Sequence, residues 1–439
     1  MRPDDFALSN EQRSMLFMKA LFGGPYIYHN LVVEASVSGD LPIPQLQRRI
    51  DNLMKAQDAL IVGHVDPVRG VQRYADSTGE SPLVLDEARE AQDYLHCGVL
   101  GELAESVAAF RLGKTTSDGM RQLYVVLDHI IAEGSCSEII RKALSDEVPD
   151  PGSQQTPFAD YCRSQGEPSG PQQARRAKEL EHWRSALSGL AGLPMADPVD
   201  PERFCVRNAF RSESPEVYRR ATELADLTAT TPYSVVAAVT AVALGWLYGV
   251  EELAFFTPIS TRRTKELQQL IGNFHFDRPI ACRLAPGLEF RDLASAISSR
   301  LLNALRFSSL PIPALVEEVG DYANILAKPG VQYFQLHVNV SEYQRVAELD
   351  QASGPRSLQK KRTVFGPFDP PQPVECTTLH VTANPTSSRI QAFSGGSCVT
   401  EQKSVLVAEM VADLLGYQAL AGGQRIEELF DYLDHRFPR

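Results

Sequence analysis

The chain has little that marks a metal site or a disulfide scaffold. No CxxC pair and no Cys/His metal spacing occurs, and the seven cysteines stand scattered at 97, 136, 162, 205, 282, 376 and 398. An odd, dispersed set excludes a complete disulfide framework and fits reduced thiols in a cytoplasm. Excess base is also missing: the net charge is −12. Nucleic-acid grooves rely on clustered Lys and Arg, so that class of partner is set aside. No G-x-S-x-G elbow marks a serine hydrolase. The stretches "VSGD", "GLPMADP" and "SGGS" lack the P-loop and dinucleotide patterns. The start, MRPDDFALSN, carries acids and no apolar h-region, so no secretion signal is expected.

One run is long and apolar enough to suggest a membrane, "YSVVAAVTAVALGWLYGV" at 233–250. It is barely long enough to span, is rich in Ala, and is followed by Glu251 and Glu252 rather than basic anchors. A helix apolar on all sides also suits the centre of a large domain. A buried helix is expected, capped by Thr231 with Pro232 in its first turn, and no membrane is expected as a partner.

What is present suits two domains. The 439 residues are 43% hydrophobic and 22% charged, enough for two soluble units of roughly 200 residues each. Helical spacing predicts an amphipathic helix over 9–22 and another over 43–60, where Leu46, Ile50, Leu53 and Met54 recur. A strand is expected between them at 30–39. Pro and Gly crowd 149–171, which reads as a long surface connection. The helix "QQARRAKELEHWRSALSGL" then crosses to the second half. There, a strand "ELAFFTPIS", a helix at 290–307, the strands "VQYFQLHVNVSEY", "TTLHVTANP" and "RIQAFSGG", and a closing helix are expected. Each half mixes α and β, and the boundary is placed at 190/191.

The chemistry concentrates in "LDHIIAEG", 127–134. A run of strand formers leads into Asp128 and His129, and Ser135 with Glu138 has the spacing of a capping box for the next helix. Read from these residues alone, His129 is either a base at the end of a buried strand or a satisfied core histidine. A neutral imidazole near its ordinary pKa can accept a proton or orient a nucleophile. Asp128, next to it on an extended chain, would point to the opposite face. A buried carboxylate there needs donors or a proton, which favours packing, with placement of a cationic substrate as the other reading. Cys136 invites a nucleophile reading, yet no base is placed on it; helix cap and core suit Ser135 and Cys136 better.

Taken together these segments resemble the condensation domains of nonribosomal peptide synthetases, within the chloramphenicol acetyltransferase-like superfamily. "LSNEQRSMLF" resembles the family's S-x-A-Q-x-R-L-W-F start, and "DHIIAEG" its HHxxxDG signature. "HWRSALSGL" is similar to the segment that closes the first half. "FFTPISTRR" resembles the strand-turn G-t-p-v-a-g-R, "LIGNFHFDRPI" the G-f-f-v-N-t-l-p loop, and "ALRFSSLPIPALVEEV" the following Ay-x-h-q-d-v-P-f segment. The departures are equally plain. Asp128 replaces the first histidine and Glu133 the aspartate. "AQDALIVGH" (56–64) lacks both arginines of its segment, and Phe276 stands for the loop's asparagine.

The resemblance implies an α/β fold of two acetyltransferase-like subdomains, 1–190 and 191–439, set as a V-shaped pseudo-dimer with a tunnel at their interface. It implies that His129 is catalytic. Glu133 would form an ion pair with Arg262, with Arg263 as a near substitute, and Gly134 would supply a tight turn and a close approach of the acyl chain. Asp128 would be structural at this site. Ser135, Cys136, His275, Phe276, Asp277 and His337 are candidates for lining the tunnel. The implied activity joins a carrier-tethered acyl or aminoacyl thioester to an amine or hydroxyl. No cofactor or metal would be bound; the substrates would ride on phosphopantetheine arms of carrier proteins. The chain ends soon after the last family element, so those partners are expected in trans, serving a monomer. The rivals are a coenzyme A-dependent acyltransferase of the same fold and a degenerate condensation domain that recruits other proteins.

Overall fold

The computed structural model describes residues 5–21, 30–75, 83–94, 99, 105–144, 157–166, 170–195, 205–213, 216–326, 328, 330–340, 376–396, 398–420 and 423–437. The chain forms two compact units. The first runs to Gln173 and takes back Ser260–His275, while the second holds Ala174–Ile259 and nearly all that follows Phe276. The division thus falls at 173/174 rather than at 190/191. The crossing helix, Gly170–Ala186, shows why. Its Glu179 accepts the backbone N–H groups of Ser309 and Leu310, and its Trp183 indole donates to the Phe307 carbonyl at 3.1 Å. Those partners belong to the second unit.

The first unit is built on a four-stranded sheet, ordered Leu31–Ser38, Met120–Leu127, Ala108–Thr115, Leu83–Leu85. Side chains alternate across it with period two. Val33, Phe110, Leu123, Val125 and Leu127 face a core shared with Leu46, Ile50 and Leu53 of one helix and Ile140 and Leu144 of another. Tyr124 and Val126 face a smaller cluster with Tyr94 and Ala109. Covered on both faces, the strand into the signature must be apolar throughout, as "LYVVL" is.

Three expected elements differ. The helix expected over 43–60 ends at Ala56, where Gln57 leaves the helix and its side chain binds the Gln269 carbonyl and the Ile271 N–H. The first helix, Asn10–Leu21, is buried on nearly every side rather than amphipathic; even Glu11 is covered, accepting from Tyr161 and Thr261. The Pro/Gly-rich stretch, partly outside the described residues, contains a helix at Phe158–Ser164. Asp58 holds its first turn by accepting from the Phe158 and Ala159 N–H groups, and Phe158 and Cys162 reach the core.

The second unit carries a seven-stranded mixed sheet, with Val331–Val340 parallel to both Glu252–Ser260 and Cys376–Asn384. Its long helix, Pro232–Tyr248, is buried all round. Thr231 accepts the Ser234 N–H at its start, and Gly249, at φ 64°, ends it in the left-handed region that glycine enters freely. Among the described residues no single helix is long and apolar enough to cross a membrane.

Candidate active site

The signature strand stops where both its neighbours stop, since Leu31 and Ala108 each pair with Leu127. The chain then turns: Ile131 donates to the Asp128 carbonyl at 3.0 Å. Asp128 and His129 therefore lie in a turn, and the alternation expected of an extended chain does not govern them. The Asp128 side chain makes the turn by accepting the Ile130 N–H at 2.9 Å, the local bond that Asp offers at such corners. The same oxygen takes the Lys19 ammonium at 2.8 Å, from the first helix. Burial pushes this carboxyl up, but Lys19 and the Ile130 N–H outweigh it and hold Asp128 below the usual carboxylate range.

His129 is half-buried at the next position of the turn. Its carbonyl accepts from the side chain of Asn273, itself fully buried, at 3.0 Å. Its ring faces that of His275, with centroids 5.8 Å apart and planes at 61°. Burial, and then His275, push the His129 imidazole down to about 4. The ring is neutral at physiological pH.

Glu133 stands behind this pair. One oxygen, Oε1, accepts from Arg262 Nε and from the Ser135 hydroxyl, the latter at 2.9 Å. The other, Oε2, lies 3.2 Å from His275 Nδ1 and accepts the Phe274 N–H. Burial opposes its charge, yet the His275 ring and the Arg262 guanidinium bring the carboxyl down to about 2. Arg262 is only 7% exposed and Glu133 12%. The guanidinium is fully engaged: it also donates to the carbonyls of Leu267, Leu270 and Gly272 and lies over the Phe274 ring at 4.4 Å.

The other candidates fall into place around these groups or away from them. Ser135 gives its hydroxyl to Glu133, in place of the capping box expected with Glu138. Cys136 is buried in the core, its Sγ 3.5 Å from the Gly272 carbonyl, and burial pushes its thiol up. A thiol so placed stays protonated and is no nucleophile at neutral pH. Gly134 has no left-handed backbone, and a Cβ there would meet nothing within 4 Å. Neither a strained turn nor a close neighbour in the protein requires glycine at this position. Phe276 and Asp277 are buried in the second unit. Arg278 lies over the Phe276 ring, and Asp277 accepts from Tyr333 and Gln335, so both serve packing there. His337 stacks on His380 at 4.4 Å across the sheet of that unit. Among the described residues no group of His, Cys, Asp and Glu is arranged to hold a metal. Lys19 and Asn273 were not singled out by the sequence, though Asn273 lies inside the loop motif.

The sequence model of the condensation domain matches residues 3–359. The chain belongs to the condensation-domain family. This condensation domain is 24% identical over 341 residues to chondramide synthase cmdD of Chondromyces crocatus, a match that covers 72% of this chain and 9% of that protein. It is 24% identical over 342 residues to gramicidin S synthase 2 of Brevibacillus brevis, covering 74% of this chain and 7% of that one. It therefore spans a small part of the relatives it matches. Among solved structures, the first condensation domain of the calcium-dependent antibiotic synthetase, in complex with substrate analogue 3a, superposes with a TM-score of 0.65 at 15% identity. The match covers 98% of this chain and 99% of that one, a likeness of fold. The fold is the α/β, chloramphenicol acetyltransferase-like fold of condensation domains, enzymes that form amide or ester bonds by acyl transfer.

Proposed function

We propose that this condensation domain transfers an acyl or aminoacyl group from a carrier-protein thioester to an amine or hydroxyl acceptor in nonribosomal peptide assembly. One observation carries the reading: the condensation-domain match extends over residues 3–359. His129 enters it as the residue that the resemblance of "DHIIAEG" to HHxxxDG sets against the second histidine. Donor and acceptor would arrive on phosphopantetheine arms or, for the acceptor, as a small molecule. Holding them together supplies much of the rate, because a bimolecular step becomes effectively unimolecular. His129 would act at the reacting atoms, a neutral imidazole hydrogen-bonded to the incoming nucleophile. Glu133 and Arg262 would keep the signature loop in register with the loop that follows Arg262. Asp128 would serve the turn rather than the chemistry.

The test is product formation, followed by intact mass, with acyl-loaded carrier proteins supplied as separate chains. Wild type should give an amide or ester, and His129→Ala should give it more slowly at unchanged fold. Equal rates would remove His129 from the mechanism. Product from acyl-coenzyme A but not from loaded carriers would show the small-molecule acyltransferase instead. The replacement of the first signature histidine by Asp128, tied to Lys19, favours a second reading as a non-catalytic recruiting module. Binding of carriers with no product from any loaded donor would establish that one.

A further inference from the structure

His275 occupies a position where the family's G-f-f-v-N-t loop has an apolar residue, and the structure gives it a partner. Glu133 is ionised, held by Arg262 on Oε1, and presents Oε2 to His275 Nδ1 at 3.2 Å. An ionised carboxylate only accepts, so Nδ1 carries the proton at this contact and Nε2 becomes the ring's basic nitrogen. A carboxylate in that position fixes tautomer and orientation and favours the protonated ring, the relationship that serves a general base. The neighbour of this oriented ring is His129, 5.8 Å away between centroids. The two imidazoles share one place but not one environment. His129 is pushed down by burial and by His275, with the Lys19 ammonium also against it and Asp128 opposing. A base so weakened accepts a proton poorly at neutral pH.

We infer that His275, oriented by Glu133, accepts the proton of the incoming nucleophile, while His129 holds that nucleophile by a hydrogen bond. This rests on the condensation reading above. The acceptor nitrogen forms a bond to the thioester carbonyl carbon, and the carbon–sulfur bond breaks. The proton lost by nitrogen goes to Nε2 of His275 and then to the departing thiolate, leaving an amide and a free thiol. Nothing is oxidised or reduced. Glu133 is a positioning residue; it acts through His275.

Two measurements test the assignment. In the first, wild type, His129→Ala, His275→Ala, His275→Gln and Glu133→Gln are assayed with an aminoacyl-loaded carrier protein as donor and amino-acid amides as acceptors. His275→Ala and His275→Gln should lower kcat by about 10²–10⁴-fold with little change in acceptor KM, and should remove the acidic limb of the pH–rate profile. His129→Ala should act chiefly on acceptor KM. A wild-type kcat in both His275 variants overturns the inference and leaves the condensation reading intact. The second measurement needs no substrate: ¹⁵N NMR of the ring nitrogens through a pH titration. The expected result is an Nδ1–H tautomer at His275 and a titration midpoint above that of His129, lowered in Glu133→Gln. An Nε2–H tautomer, or a midpoint at or below that of His129, overturns the inference. Either NMR outcome stands even if the wild type turns over no donor, a result that would defeat the condensation reading by itself.

Discussion

Arg262 and Glu133, 129 residues apart in sequence, are joined by the Arg262 Nε–H and Glu133 Oε1, and each is nearly closed to solvent. Removing one partner of such a pair leaves a buried charge uncompensated. Glu133→Ala should therefore cost about 3–5 kcal/mol in urea unfolding. Arg262→Lys keeps the charge but cannot fork to the Leu267, Leu270 and Gly272 carbonyls, so it should fall between wild type and Arg262→Ala. A cost below about 1 kcal/mol for Glu133→Ala, the range of exposed pairs, would show that the pair does not hold the loop.

Asp128→Asn should separate turn from charge. Asparagine can still accept the Ile130 N–H, whereas the ion pair with Lys19 is lost. Stability should drop by about 1.5–3 kcal/mol, the worth of a hydrogen bond to a charged group, with turnover per folded molecule retained. Lys19→Met should cost a similar amount, and the double variant less than the sum of the two. Normal folding with complete loss of turnover in Asp128→Asn would give Asp128 a part in the chemistry.

Gly134→Ala should fold at least as well as wild type, gaining up to about 1 kcal/mol, because the backbone is ordinary and the added methyl meets open space. If product formation nevertheless falls, the space beside Gly134 belongs to the acyl chain. Thermal unfolding and turnover measured on the same preparation decide between the two.

The depressed His129 also predicts how stability depends on pH. Between about 6.5 and about 4 the unfolded chain binds a proton that the folded His129 refuses. Stability should therefore fall as pH is lowered through that window, by up to about 1.4 kcal/mol per unit from this residue. His129→Gln cannot take up a proton, so its curve should be flatter there. The Glu133 contribution is present above its ordinary 4.5 and is lost only as pH falls towards about 2, which keeps the two effects apart. Urea midpoints from pH 7.5 to 4.5, wild type against His129→Gln, measure the difference.

Much of this could be read from the sequence where the signal is local. The helix Pro232–Tyr248 announces itself by an unbroken apolar run between Thr231 and Gly249, and it is capped by both. Glu133 and Arg262 could be paired because the family resemblance placed opposite charges on the two motifs. The turn at Asp128 was not legible, because the strand ends where its neighbours end, and those neighbours lie elsewhere in the chain. Lys19 sits in a stretch whose spacing predicts no more than an amphipathic helix; only burial of that helix brings it to Asp128. The bond from Asn273 to the His129 carbonyl likewise spans 144 residues, and no periodicity encodes it.

Arg262 binds the carbonyls at 267, 270 and 272 while it also holds Glu133, so the segment that follows it is wrapped around its own first side chain. Its length is thereby fixed at both ends. An insertion or deletion between Arg262 and His275 would pull carbonyls from the guanidinium or move His275 off the carboxylate. A chimera between relatives should therefore exchange 262–275 as a single cassette of equal length, together with residue 133.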